Sequence, residues 1–121
     1  MPVKHYRELL VWQKAMQIVE EIYALAKMLP KEELYALSNQ IRRAAVSIPS
    51  NIAEGQARNS TKEFANFLSI ARGSTAEVET QLIICVRLKY LQQTQIDQAL
   101  SLCSEVGKML NVLINKLKTD H

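Results

Sequence analysis

Polar side chains recur at spacings of three and four in two stretches, around the segment SIPSNIAEGQAR (residues 47–58) and between residues 74 and 81. This spacing places side chains on one face of a helix. Arginines on such a face bind phosphate or carboxylate through paired hydrogen bonds, so one interpretation is a ligand or phosphate site. The other is a structural network of charge pairs that sets helix register or a subunit interface. The candidate residues are Arg42, Arg43, Ser47, Ser50, Asn51, Glu54, Arg58, Arg72, Ser74, Glu77 and Gln81.

Catalytic motifs are absent from the sequence. Its two histidines, His5 and His121, lie near the chain ends, and neither stands in the Glu-x-x-His pattern of di-iron bundles. There is no GxxxxGK[ST] loop and no CxxC pair. Glu54 and Glu77 could form a carboxylate pair, but no nucleophile or set of metal ligands accompanies them. We therefore expect a protein that is not an enzyme and that holds no cofactor or metal.

The composition favours one all-α domain over residues 1–121. Hydrophobic residues make up 48% of the chain, enough for one core, and three glycines with three prolines leave little turn material for a β-fold. No apolar run of about 18 residues is present, and charges interrupt the N-terminal segment, so we expect neither a membrane span nor a secretory signal. A cytoplasmic location with reduced cysteines follows as an expectation.

Hydrophobic periodicity predicts four helices with short links, typical of an antiparallel up-down-up-down four-helix bundle. Pro30 is predicted to end the first helix, and the sequence Ser60-Thr61-Lys62-Glu63 is a capping box that begins the third. Thr94 with Asp97 is predicted to cap the fourth. The predicted helices cover about 7–28, 32–54, 61–91 and 95–118.

The second helix carries an apolar stripe that continues through Pro49 without changing its spacing. Ile48 would be a poor N-cap for a new helix, so the pattern predicts one continuous helix, kinked at the proline. Gly55 is predicted to close it in left-handed geometry. The small residues beginning at Gly73 predict close approach of another backbone to the third helix.

The first helix carries two apolar stripes side by side, more than one bundle core can cover. We assign one stripe to the core: Leu9, Trp12, Met16, Val19, Tyr23 and Ala26. The second stripe is then left on the surface and predicts an interface between copies of the chain. Its residues are Val11, Ala15, Ile18, Ile22 and Leu25.

Several segments resemble the 23S ribosomal RNA intervening-sequence protein family. They include LLVWQKAM, the signature QIRRAAVSIPSNIAEG followed by an arginine, ARGS..E...Q, and EVGKMLNVLI. The resemblance covers nearly the whole chain and implies a left-handed four-helix bundle that assembles into a homopentamer. It implies no catalytic residue.

The leading functional hypothesis is a non-enzymatic, homo-oligomeric scaffold that contacts RNA or DNA electrostatically. The net charge of +3 permits such contact, and an oligomer repeats each basic patch around its axis. Tyrosines at positions 6, 23, 35 and 90 could stack on bases. The alternative is an adaptor that recruits a partner protein without nucleic acid, and a third option is a small-ligand site around Glu54 and Glu77.

Overall fold

The computed structural model of the chain describes residues 5–119. Short 3-10 helices at Tyr6–Glu8 and Lys31–Glu33 precede the first two α-helices. No strand occurs between residues 5 and 119, so the all-α prediction is confirmed. The α-helices are α1 (Leu10–Ala26), α2 (Leu37–Gln56), α3 (Thr61–Arg87) and α4 (Gln93–Thr119).

The four helices enclose one aliphatic core. α2 packs against α1 and α3, and α4 packs against α3 and α1, so each helix has two neighbours. Isoleucine and leucine side chains from all four helices are fully buried between them, as an amphipathic helix requires. The four-helix bundle is confirmed, whereas the up-and-down order, the left-handed twist and the kink at Pro49 stay predictions. No helix within residues 5–119 combines the length and apolar character needed to cross a membrane.

The face of α1 that was predicted to form an interface lies in the core, whereas the stripe predicted as core is buried only in part, with Ala26 buried and Leu9 and Val19 half-buried. The five residues assigned to an interface, Val11, Ala15, Ile18, Ile22 and Leu25, are buried in the core of their own chain, so that assignment is wrong. Of the other stripe, Met16 and Tyr23 are exposed, and Trp12 is half-buried. Both stripes have helical spacing, but the stripe that is fully buried is the one with compact aliphatic side chains. Trp12 and Tyr23 have polar tips, which favour a position at the edge of a core.

α2 runs through Pro49 as one helix, as the continuous stripe predicted. The proline has no N–H to donate to the carbonyl of Ala45. In the same turn, Asn51 Nδ2 donates to the carbonyl oxygen of Ser47 at 2.8 Å and to its hydroxyl at 2.9 Å. Polar side chains therefore reinforce the backbone around the proline turn.

The start of α2 lies later than predicted, at Leu37, and the side chain of Glu33 caps it. Ala36 occupies the cap position and has no side chain that can accept a hydrogen bond. Glu33 supplies the acceptor instead: its Oε1 receives the N–H of Leu37 at 3.2 Å, and its Oε2 receives the hydroxyl of Tyr90 at 2.8 Å. The hydrogen bond to Glu33 also raises the pKa of Tyr90. One carboxylate thus ties the beginning of α2 to the link that follows α3.

The boundaries of α3 and α4 test the predicted capping signals. At the beginning of α3, Ser60 Oγ accepts from the N–H of Glu63 at 3.1 Å, which confirms the capping box. α3 ends at Arg87, earlier than predicted. Two residues later, Lys89 has a φ of 65°, a left-handed conformation that glycine or asparagine adopts more often. The predicted Thr94 cap is wrong, because α4 already begins at Gln93.

Gly55 is not a helix cap but a contact point between α2 and α3. It lies buried inside α2, and a Cβ at this position would be 2.6 Å from the Cβ of Phe67 and 3.0 Å from Cδ1 of Phe64. The glycine is therefore needed because α3 approaches too closely for any side chain. Gly73 shows the opposite, because a Cβ there would meet nothing within 4 Å. The close approach predicted for the small residues beginning at Gly73 occurs instead at Ser74, whose hydroxyl lies 2.8 Å from that of Ser47 on α2.

These two glycines give a matched pair of substitutions. Gly55→Ala should lower the free energy of unfolding by roughly 1–3 kcal/mol, because the added methyl overpacks the contact with Phe67. Gly73→Ala should raise it by about 1 kcal/mol, because alanine is the better helix former and the site is open. Urea denaturation followed by circular dichroism measures both. A Gly55→Ala protein as stable as the unchanged chain would contradict the close-approach explanation.

Candidate functional site

The two polar strips meet where α2 packs against α3. Ser47 and Ser74 share a hydrogen bond of 2.8 Å between their hydroxyl oxygens, and Ser74 is buried. Asn51 adds its amide to the hydroxyl of Ser47. These three side chains satisfy one another, so they hold the two helices in register. For this part of the strip the structural interpretation applies.

Glu77 and Gln81 extend the strip along α3. Gln81 Nε2 donates to Glu77 Oε2 at 3.3 Å, and the glutamine is only 6% exposed. Its Oε1 accepts no hydrogen bond from residues 5–119. A buried acceptor without a partner is costly. The exposed carboxylate of Glu77 is therefore oriented by a buried amide behind it.

Arg58 and Glu54 form a separate unit at the end of α2. Arg58 Nη2 donates to Glu54 Oε2 at 2.8 Å, one helical turn back, and the guanidinium lies 4.9 Å from the ring centroid of Phe67. This pair covers the aromatic ring that packs on Gly55. Both charged side chains are exposed, so the ion pair contributes little stability. Ser50 is exposed as well.

Arg72 points away from the strip, towards α4. Its Nη1 donates to Asn111 Oδ1 at 2.6 Å. A shallow groove between α3 and α4 also includes Arg72 and Asn111 in its lining. The structure therefore does not bring Arg72 together with Arg43 and Glu77.

Arg43 faces a polar groove between α2 and α3, which we call the α2–α3 groove. Its volume is about 390 Å³. Arg43 is exposed and makes no ion pair with the described residues. Tyr35 stands at the same groove with 90% of its side chain exposed. The lining residues are Tyr35, Asn39, Gln40, Arg43, Ala44, Ser47, Ser74 and Glu77.

Arg42, the residue before Arg43, is directed towards α1. Its guanidinium lies 6.0 Å from the ring centroid of Tyr23, and Nη1 donates to Ser38 Oγ at 3.4 Å. A second depression, between α1 and α2, is lined by both arginines and by Tyr23, and a third contains Arg42 with two lysines. The three depressions adjoin through shared residues. We call their charged and aromatic residues the basic–aromatic surface: Tyr23, Lys27, Lys31, Tyr35, Arg42 and Arg43.

Sequence reasoning identified the two arginines and named both tyrosines, but it did not join them into one surface. Asn39, Lys27 and Lys31 were not singled out at all. Arg42 and Arg43 are adjacent in sequence and therefore diverge by about 100° around the helix. Their shared surface becomes visible only when α1 and α3 flank α2. The exposure of Tyr35 had no sequence signal, because an isolated tyrosine fits a core equally well.

An apolar groove lies between α1 and α4 and is called the α1–α4 groove. Its volume is about 410 Å³. Leu10 and Val112 remain 56% and 67% exposed at its edges. The lining residues are Leu9, Leu10, Val11, Lys108, Met109, Val112 and Leu113.

Groups for metal binding or covalent chemistry are not assembled in the described part of the chain. Between residues 5 and 119 no three potential metal-ligating side chains cluster. Cys85 and Cys103 are both free and buried. Burial, with the charge of Glu79, raises the pKa of the Cys103 thiol to about 12. Burial, with the charge of Glu33, also raises the pKa of Cys85. Both thiols thus stay protonated near neutral pH. Because the thiolate is the reactive form of cysteine, neither is suited to act as a nucleophile.

The protein is a four-helix bundle whose second helix bears arginines at its surface. A polar contact joins that helix to α3. The chain belongs to the 23S rRNA-intervening sequence protein family, whose sequence model matches residues 7–112. The resemblance seen in the sequence is thereby confirmed.

A solved structure shares this fold. It is the 1.70 Å crystal structure of a protein with unknown function from the S23 ribosomal protein family of Bacteroides thetaiotaomicron VPI-5482. The two sequences are 29% identical, and the superposition has a TM-score of 0.81. It covers 87% of this chain and 98% of that one. Among proteins with curated descriptions, none matches the sequence.

The buried thiols lead to a test by chemical modification. In the native protein at pH 8, a thiol reagent such as dithiobis(nitrobenzoate) should label neither Cys85 nor Cys103, because both are shielded and protonated. In guanidinium chloride both should react at once, which serves as the control. Rapid labelling of one cysteine in the native protein would contradict the burial described here.

Proposed function

We propose that this chain is a non-enzymatic scaffold that assembles with copies of itself and contacts RNA or DNA through the basic–aromatic surface. The observation that carries the proposal is that Arg42 and Arg43 share the depression between α1 and α2 and that each also lies beside an exposed tyrosine. Arg42 lies over the ring of Tyr23, and Arg43 lines the α2–α3 groove with Tyr35. Positive side chains interleaved with aromatic rings are the usual means of binding nucleic-acid strands.

The charges on this surface are available to a phosphate backbone. Within residues 5–119, ion pairs with carboxylates are formed by Lys14 and Arg58, neither of which belongs to the surface. Lys27, Lys31, Arg42 and Arg43 therefore carry charge that no carboxylate of the described residues neutralises within 4.0 Å. Replacing counterions on phosphates with such cations is the main source of sequence-independent affinity.

Assembly of several copies is supported by the apolar surface that the bundle leaves uncovered. Leu10 and Val112 are large, mostly exposed and adjacent at the α1–α4 groove. Apolar patches of this kind usually mark interfaces. The family resemblance implies a homopentamer, and a ring would repeat each basic–aromatic surface around its axis. Two free cysteines suit a reducing cytoplasm.

The same groove favours the second candidate, a protein-binding adaptor. Its lining is almost entirely aliphatic, and an amphipathic helix of a partner recognises such a surface through its apolar face. In that case the basic–aromatic surface serves only solubility. The two candidates differ in their response to nucleic acid and to salt.

Salt-dependent binding tests the nucleic-acid contact. For a fluorescent single strand, the double variant Arg42→Ala/Arg43→Ala should reduce the slope of log affinity against log salt by about 0.7 per arginine, because fewer counterions are released. The control is Lys62→Ala/Lys116→Ala, which removes the same charge from exposed sites outside the surface and should leave most of the affinity. Absence of binding to RNA and DNA even at low salt would contradict the nucleic-acid part of the proposal and favour the adaptor.

Sedimentation equilibrium tests self-assembly. The unchanged chain should sediment as an oligomer at micromolar concentration, and Val112→Glu should shift it towards the monomer, because a carboxylate cannot be buried in an apolar contact without a partner. Lys116→Glu, an equally exposed position of α4, is the control and should leave assembly intact. A monomeric unchanged chain would show that self-assembly is wrong.

A further inference from the structure

The α2–α3 groove is suited in size and lining to a single nucleotide unit. Its volume of about 390 Å³ lies near the lower end of the range of small-molecule sites, about 300–1,000 Å³. It combines one cation, one carboxylate, one aromatic ring and two side-chain amides: Arg43, Glu77, Tyr35, Asn39 and Gln40.

The two opposite charges in the groove select the ligand. A free phosphate or carboxylate would meet Arg43 but would be repelled by Glu77. A nucleotide carries both complements: a phosphate for the arginine and, on cytosine or adenine, an amino group that donates to a carboxylate. The groove therefore matches a ligand with an anionic and a hydrogen-bond-donating end.

The carboxylate of Glu77 is oriented by a hydrogen bond from Gln81. Gln81 is buried, and its Nε2 donates to Oε2 of the carboxylate. A carboxylate accepts about four hydrogen bonds, so one from Gln81 leaves capacity for a ligand amine. Ser47 and Ser74 also line the groove, but their hydroxyls bond to each other and have little hydrogen-bonding capacity left for a ligand.

Tyr35 supplies the stacking surface. The residue is 90% exposed and stands at the edge of the groove, so its ring is open to a base. Base stacking on such a ring tolerates all four bases, so it adds affinity without choosing the sequence.

We propose that the α2–α3 groove binds one unpaired nucleobase of a single strand, with Tyr35 stacked on the ring, Glu77 accepting from an exocyclic amino group and Arg43 on the adjacent phosphate. The inference rests on the proposed function and makes it specific. In a duplex the amino groups are already paired and the bases are stacked, so the groove distinguishes single strands from duplexes. Thymine and uracil have no exocyclic amino group and are disfavoured.

Fluorescence anisotropy with short homo-oligonucleotides tests the inference. At fixed salt, oligo(dC) should bind about 10-fold or more tightly than oligo(dT), the size of one good base contact. Tyr35→Ala should weaken every single strand by about 10-fold, whereas Tyr35→Phe should retain binding because it keeps the ring. Tyr35 is exposed, so thermal melting should confirm that both variants remain folded.

Glu77→Gln separates base recognition from general charge effects. Its amide can donate to the O4 of thymine, so the preference for oligo(dC) should shrink or reverse. Glu79→Gln on the same helix lies outside the groove and removes the same charge, so it should leave the preference unchanged. Equal, salt-dependent binding of oligo(dC), oligo(dT) and duplex would overturn the base-binding groove while leaving the proposed function standing. No binding of any strand would overturn both.

Discussion

The close approach of α2 and α3 is the constraint on which the rest of the structure depends. At one end, Gly55 lets the backbone of α2 come against Phe67, at a distance where no side chain fits. Further along, Ser47 and Ser74 bond directly, which short hydroxyl side chains can do only when the two helices lie near each other. Because the contact is polar in the middle and tight at the end, it fixes both the spacing and the register of the pair.

That register decides what stands on either side of α2. Once α3 is docked, Arg43 is placed across a groove from Glu77, and the buried amide of Gln81 orients the carboxylate. Arg42, one residue earlier, is directed to the α1 side and lies over Tyr23. The first half of α2 therefore presents cations on both sides, although the net charge of the chain is modest.

The candidate site was only partly predictable, for reasons that individual residues illustrate. Helical spacing correctly grouped Ser47 with Ser74, since each belongs to a strip of regular period. It could not predict that Arg72 would bond to Asn111 on α4, because helical spacing relates residues within one helix only. Tyr35 was one of four tyrosines considered for base stacking, and the sequence could not single it out, since solvent exposure is a property of the assembled surface and not of a residue type.

The sequence by itself determined the number and kind of elements, the helix that continues through Pro49, the capping box at Ser60 and the family. Each of these depends on local chemistry or on a contiguous pattern, which the chain carries whatever its neighbours do. Tertiary structure alone decided which apolar stripe of α1 is buried, since both stripes have the same period and only the available space in the core selects between them. It also assigned Gly55 to a helix contact and tied the start of α2 to Tyr90 through Glu33, because both contacts join atoms that are distant in sequence.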